Sequence, residues 1–300
     1  MSNPDPNLTA LIKLLSDDHP TIVDAARKKL LELGAVAIPI LKQAAESDPD
    51  PKVRVEARQI LEQVRLETIG KEWEKAAALP DEKMDLETNA FLLAKVSYPD
   101  LDPALYRQRL DQLAEQIRPN LKPAATPQEL LRMINRCLFK KERFRGNWDN
   151  YFDPQNSYLN CVLDRRLGIP ISLSVLYLLV AWRLKIPVQG VGIPGHFMLK
   201  YMDQETELYV DPFNEGRFLT RAECLQFVVE AGYPYQADFM EGVGPREILA
   251  RMLRNLILIY VDRQEVTLER ILTRFLNLLY PADANEEDEG TSEGEIGWVG

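Results

Sequence analysis

The spacing of apolar positions divides the chain before any chemistry is considered. From Leu8 to Val64 apolar residues recur three and four apart in stretches broken by Asp- and Pro-rich turns, which predicts short amphipathic helices. HPTIVDAARKKLLEL and DPKVRVEARQILEQV superpose at an offset of 31, matching Pro20 with Pro51, Ile22 with Val53, Ala26-Arg27 with Ala57-Arg58 and Leu30 with Leu61. A helical connector is expected over 68–84, with a boundary at Leu79-Pro80. Helical periodicity returns over Leu86–Val96, Pro103–Ile117 and Pro127–Phe139, and a polar, aromatic-laced loop follows, RFRGNWDNYFDPQN (143–156). Loops of this composition contribute to function more often than most segments.

The next stretch organises the rest. Ile171–Leu184 is apolar nearly all round, which predicts a helix buried on every side, and at 14 residues it is too short to span a bilayer. Pro170 suits the first helical position and Lys185-Ile186-Pro187 ends the run, which places Ser172 in the first turn. Val188–Ile193, Phe197–Tyr201 and Leu208–Val210 read as strands separated by Pro194-Gly195 and the polar turn Asp203–Thr206. If Met202 pairs with Glu207, paired residue numbers sum to 409, His196 opposes Phe213, and His196 lies diagonal to Asp211 on one face. A slip of one residue separates them. Helices are then expected over Thr220–Ala231, Pro245–Asp262 and Val266–Leu279, and a disordered acidic tail over 281–300.

Composition narrows the class. Hydrophobic residues at 46% and charged residues at 27% are those of a soluble globular protein. Of the net charge of −10, seven negative charges lie in the last twenty residues (Asp283, Glu286, Glu287, Asp288, Glu289, Glu293, Glu295), which hold no Lys or Arg, leaving −3 for the remainder. A near-neutral body without a basic run argues against nucleic acid as a partner. The start MSNPDPNLTA lacks the basic and apolar regions of a signal peptide, and no apolar run is long enough for a membrane span, so the expectation is a cytoplasmic protein. Cys137, Cys161 and Cys224 are odd in number and far apart, which suggests neither a disulfide framework nor a metal site, and no cofactor motif is present.

Only two histidines exist. His19 lies in a repeat turn, whereas His196 opens a strand with a carboxylate one strand away. An apolar helix with a nucleophile position at its start, then a strand opening with His, then a strand ending Asp-Pro, resembles the core of the transglutaminase-like superfamily. More narrowly, NSYLNCVLDRRLGIPISLSVLYLLVAWRL, VGIPGHFMLKY and YVDPFNEGRFLTRAEC resemble the SirB-type branch over about Asp85–Tyr280. The resemblance implies an α+β fold, a transglutaminase-like (cysteine-protease-like) core with a small antiparallel sheet. It also implies a tetratricopeptide-like hairpin over 245–280 after a core domain at 85–244, while the 31-residue repeat, short for the type, resembles HEAT repeats and marks a HEAT-like segment over 1–67, so that α-helical repeat segments flank the core. It further implies that a first-turn Cys, activated by the helix macrodipole, attacks with His196 as base and Asp211 orienting it.

This chain departs from that pattern. Its first turn reads Pro170-Ile171-Ser172, and an early-helix Ser serves either as a nucleophile or as a buried cap. Cys161 lies upstream of the core helix on a helical pattern and reads as a small buried hydrophobe, with Cys137 and Cys224 alike. Arg165 and Arg166 bind an anion or pair with Asp164 and Asp211. Arg54, Arg58 and Arg65 form either a binding face or a solvated one. Two function classes follow: a protein- or peptide-binding regulatory module on a degenerate domain, or a hydrolase or acyltransferase using His196 and Asp211 with Ser172 or Cys161.

Overall fold

Prolines and acidic turns start the first helices. In the computed structural model, which describes residues 6–202, 207–230, 232–234 and 236–281, α1 (Pro6–Lys13), α2 (Pro20–Leu33), α3 (Ile38–Ser47) and α4 (Pro51–Ala77) follow one another. Proline opens α1, α2 and α4, where its missing N–H costs no intrahelical bond. Leu15, Ala26, Leu30, Leu41, Ala57 and Ile60 meet in one apolar cluster, which is the stripe that the repeat pattern marks. The arginines on α4 serve the helices themselves. Arg54 Nη1 donates to Asp48 O (2.6 Å), Arg58 Nη2 donates to Ala45 O (3.2 Å), and Arg65 pairs with Glu62. α4 is a single helix of 27 residues that absorbs most of the expected connector. Gly70, costing about 1 kcal/mol, is too weak a breaker to stop it.

The chain divides into two compact units, Met1–Glu72 and Trp73–Gly300. In the second, three helices start on side-chain caps. Asp85 accepts from Glu87 N and Thr88 N before α5 (Leu86–Ala94), Asp102 accepts from Ala104 N before α6 (Pro103–Ile117), and Thr126 and Glu129 form a reciprocal capping box on α7 (Pro127–Asn135). The run expected to stay α-helical to Phe139 widens into a π-helical turn over Arg136–Lys141. Then come β1 (Arg145–Gly146), α8 (Leu159–Arg165), β2 (Leu167–Gly168) and α9 (Pro170–Arg183). The sheet is β3 (Val188–Ile193), β4 (His196–Tyr201), β5 (Tyr209–Asp211) and β6 (Arg217–Leu219), antiparallel throughout in that order, while β1 and β2 form a separate two-stranded parallel ladder. α10 (Arg221–Glu230), α11 (Pro245–Asp262) and the antiparallel α12 (Val266–Leu279) complete the unit. The expected Asp203–Thr206 turn, the helix end at Ala231 and the tail after Pro281 lie outside the described residues.

α9 is the centre of this unit. Every residue from Pro170 to Ala181 is buried, with α6, α7, α8, α11, β3 and β4 packed around it. Each large apolar side chain so enclosed contributes roughly 1.5–3 kcal/mol. The β4–β5 register pairs Leu199 with Val210 and Lys200 with Tyr209, so the residue numbers sum to 409 as the turn predicts. Within α11, Leu249, Leu253 and Leu256 are buried, and Trp73 stacks on Phe275 of α12 at 4.9 Å while its indole donates to Phe275 O (3.0 Å). No helix among the described residues is long and apolar enough to cross a membrane.

Candidate functional site

The β3–β4 hairpin presents His196. Its two-residue turn Pro194-Gly195 has Gly195 at φ 74°, a conformation open to glycine, and places Ile193 opposite His196 at the head of β4. The ring is buried at 8% exposure, stacks on Phe227 of α10 (4.9 Å, 15°) and meets Phe213 edge-on at 6.3 Å. From α11, Arg251 Nη2 donates to Ile193 O (3.1 Å) and His196 O (3.4 Å), holding the turn from behind.

Asp211, fully buried at the end of β5, accepts from His196 Nε2 through Oδ2 at 2.9 Å. Asn214 Nδ2 donates to the same oxygen (2.7 Å), and Oδ1 accepts from Phe213 N (3.0 Å) and Asn214 N (3.2 Å). Burial alone would raise this carboxyl, but the His196 hydrogen bond and charge, with Asn214 behind them, outweigh burial and hold Asp211 below its ordinary value. An ionised Asp211 accepts only, so Nε2 carries the proton and Nδ1 is left as the basic nitrogen. The pair can therefore orient a base, as the sequence register predicts.

Ser172 is committed elsewhere. Its hydroxyl donates to Asn156 O (2.5 Å), with Ile169 O at 3.2 Å as the alternative acceptor, and accepts from Ile169 N (3.0 Å) just ahead of α9. It has no exposed surface, and His196 is not among its partners. Asn156 is placed by its own bonds: its side-chain amide donates to Asn150 O (2.7 Å) and Tyr151 O (3.1 Å), and its oxygen accepts from Asn147 (3.0 Å). Gly168 completes the enclosure, since a Cβ there would lie 2.8 Å from the Ser172 hydroxyl oxygen.

The cysteines are enclosed too. Cys161 lies on α8, and burial raises its thiol despite the hydrogen bond to Tyr98. Burial pushes Cys137 up to about 11 and Cys224 up to about 12. None has the exposed, electropositive setting of a reactive thiol. The expected arginine pairing changes partners: Arg165 pairs with Asp153 (2.8 Å), Arg166 with Glu142 (2.9 Å), and Asp164 is taken by Arg109 and Tyr106. Arg166 caps α8 in the left-handed region (φ 59°). His19 is largely exposed beside Asp17 (3.0 Å). Among the described residues no group of three His, Cys, Asp or Glu side chains is placed to hold a metal ion.

Beside the pair runs a cleft of about 440 Å³, lined by Arg145, Gly146, Asn147, Trp148, Asp149, Leu167, Phe213, Asn214 and Glu215. Its floor is Phe213, on which Trp148 (4.4 Å) and Tyr151 (6.0 Å) rest. Sequence reasoning found the loop and set Phe213 opposite His196, but missed Phe213 as a wall of the cleft and Asn214 as a partner of Asp211. The signal for Asn214 was present, since Asp-x-x-Asn after a strand is turn chemistry in which a carboxylate takes backbone donors two and three residues on.

Residues 104–254 match the family model described as Transglutaminase-like superfamily. A UPF0162 protein of Xylella fastidiosa (strain 9a5c) is 38% identical over 211 residues, covering 67% of this chain and 75% of that protein. A UPF0162 protein of Pseudomonas aeruginosa is 32% identical over 170 residues, 56% of this chain and 62% of that one. F-box only protein 21 of Mus musculus is 36% identical over 137 residues, 43% of this chain but 21% of the mouse protein. No solved structure matches. With half its length in the superfamily match and a UPF0162 relative covered over three quarters of its length, the chain belongs to the transglutaminase-like superfamily, among the UPF0162 proteins.

Proposed function

We propose that this is a SirB-type transglutaminase-like domain without acyl-transfer activity, working in the cytoplasm as a protein-interaction or regulatory module. In this reading the HEAT-like segment at 1–67 and the tetratricopeptide-like hairpin at 245–280 supply binding surfaces. The observation that carries it is the enclosure of Ser172: no exposed area, one backbone carbonyl accepting its proton at 2.5 Å and one backbone N–H donating to it.

The physics of activation points the same way. A helix N-terminus is worth at most about 2 kcal/mol to an anion, or roughly 1.5 pKa units. That is enough to activate a thiol and far too little for an alcohol. A serine here needs His196 as general base within hydrogen-bond reach, and its proton goes to Asn156 instead. A second reading, a hydrolase or acyltransferase, draws on the oriented His196–Asp211 pair, with Ser172 or Cys161 as nucleophile.

Covalent labelling with broad serine- and cysteine-reactive acylating probes separates the two. The expected result is no adduct at Ser172 or Cys161 in the folded protein. An adduct at either position that vanishes in His196→Ala would refute the interaction reading.

A further inference from the structure

The outer edge of β1 is open. Arg145 N donates to Arg166 O (3.0 Å) and Asn147 N to Gly168 O (2.9 Å), and in a parallel ladder the residue between two bonded ones turns its own N–H and C=O to the other side. Gly146 is that residue, and it lines the cleft. An unpaired edge of this kind is a surface to which an extended segment adds as a strand.

Side chains alternate along a strand, and here the alternation sorts them by chemistry. A Cβ on Gly146 would lie 2.6 Å from the Phe213 ring, and Trp148, two residues on, packs against the same ring at 4.4 Å. The face that Gly146 and Trp148 share is therefore an aromatic floor, and Arg145 belongs to the opposite face.

Three charged side chains line the cleft, Arg145, Asp149 and Glu215. Glu215 is matched by Lys140. Arg145 and Asp149 are exposed, and they form no ion pair among the described residues, either with each other or with a third group. The cleft thus holds one unmatched cation and one unmatched anion, at the two ends of the 145–149 stretch, with the aromatic floor between them.

From the open edge, the floor and these two unmatched charges, we infer that the cleft binds an extended segment of a partner protein in which one acidic and one basic residue flank an apolar one. The segment pairs its main chain with Gly146, lays the apolar side chain on Phe213 beside Trp148, and sets its carboxylate to Arg145 and its cation to Asp149. Residues two apart on a strand share a face, so both charges of such a segment fall on the side away from the floor. A main-chain edge favours a peptide over a small zwitterion, which has no succession of donors and acceptors to set against it. The inference rests on the interaction reading above and names the chemistry of the partner.

Two end-blocked peptides, GSEVKSG and GSKVESG, test it on the full chain, with GSQVQSG as the uncharged control. Binding is read from the Gly146 amide and Trp148 indole signals in nitrogen-15 NMR spectra at millimolar peptide. One of the two orders, according to whether the segment runs parallel or antiparallel to β1, should bind about fivefold more tightly than the control, the effect of two exposed ion pairs. Exchanging the protein's charges, Arg145→Asp with Asp149→Arg, should reverse which order is preferred, and both positions are exposed and unpaired, so the fold tolerates the exchange. A control that binds as tightly as the better charged peptide, Gly146 and Trp148 signals that stay unmoved, or an order preference that survives the exchange would each overturn the inference. Absence of binding together with absence of any acyl-probe adduct removes this site and leaves the interaction reading standing, whereas an adduct at Ser172 with peptide binding intact does the reverse.

Discussion

The β4–β5 edge and the first turn of α9 would be the two halves of one catalytic apparatus under the transglutaminase-like pattern, and in this chain they are built differently. At the first, a carboxylate takes four hydrogen bonds and fixes the imidazole. At the second, the side chain that would receive the base's help is turned into backbone. The difference lies in what each group does for the fold. Asp211 closes the turn to Asn214 whatever happens at His196, so the base-orienting geometry persists on structural grounds. Ser172 closes the start of α9 only by being unavailable for chemistry.

The largest test acts on the first half. Asp211→Ala removes a buried charge from its partners and should destabilise the protein by about 3–5 kcal/mol, read by urea denaturation. A loss near zero would mean that the turn holds without the carboxylate and that the pair is retained for another reason. The same group sets a pH dependence. Its folded pKa is depressed below 3.8, so its stabilisation is fully present above the unfolded value and is lost as pH falls through the ordinary carboxylate range and the lowered folded pKa. Asp211→Asn should flatten that acid limb.

The second half should respond less strongly. Gly168→Ala brings a Cβ to 2.8 Å from Ser172 Oγ and 2.9 Å from Leu173 Cγ, an overpacking that should cost about 1–3 kcal/mol in the same denaturation assay. Ser172→Ala leaves Ile169 N and Asn156 O without their partner and should cost about 1–2 kcal/mol. If instead Ser172→Ala were neutral in stability while abolishing probe labelling, the comparison would be inverted and the hydroxyl would be a nucleophile. The smallest effect is expected of Ser172→Cys: a thiol at a site without exposed surface should resist iodoacetamide in the folded protein and react only on unfolding.

Much of the architecture can be read from the sequence because its strongest signals are local. The all-round apolarity of α9, the proline that opens it and the turn residues between strands fix the helix, the hairpins and the 409 register, and the register brings His196 to Asp211. Ladders of two residues such as β1 and β2 carry no periodicity, and the π-helical turn at Arg136–Lys141 looks like more α-helix. That Ser172 is a buried hydrogen-bonding group is one of the two roles the sequence offers, but the partner that holds it is not legible. It is a carbonyl sixteen residues earlier, delivered by an asparagine network that no single window contains. Arg165 and Arg166 were misassigned for a related reason, since their acidic partners arrive from the 142–153 segment rather than from the adjacent Asp164.

The indoles offer one more consequence. Trp73 is 1% exposed and stacked, whereas Trp148 is 68% exposed on the floor of the cleft. The emission of this protein should therefore contain a blue-shifted component that acrylamide barely touches and a red-shifted one that it quenches readily. Trp182 is also 40% exposed, so Trp148→Phe should remove only part of the quenchable component and leave the shielded one, and the difference between the two proteins is an optical gauge of whatever enters or leaves the cleft.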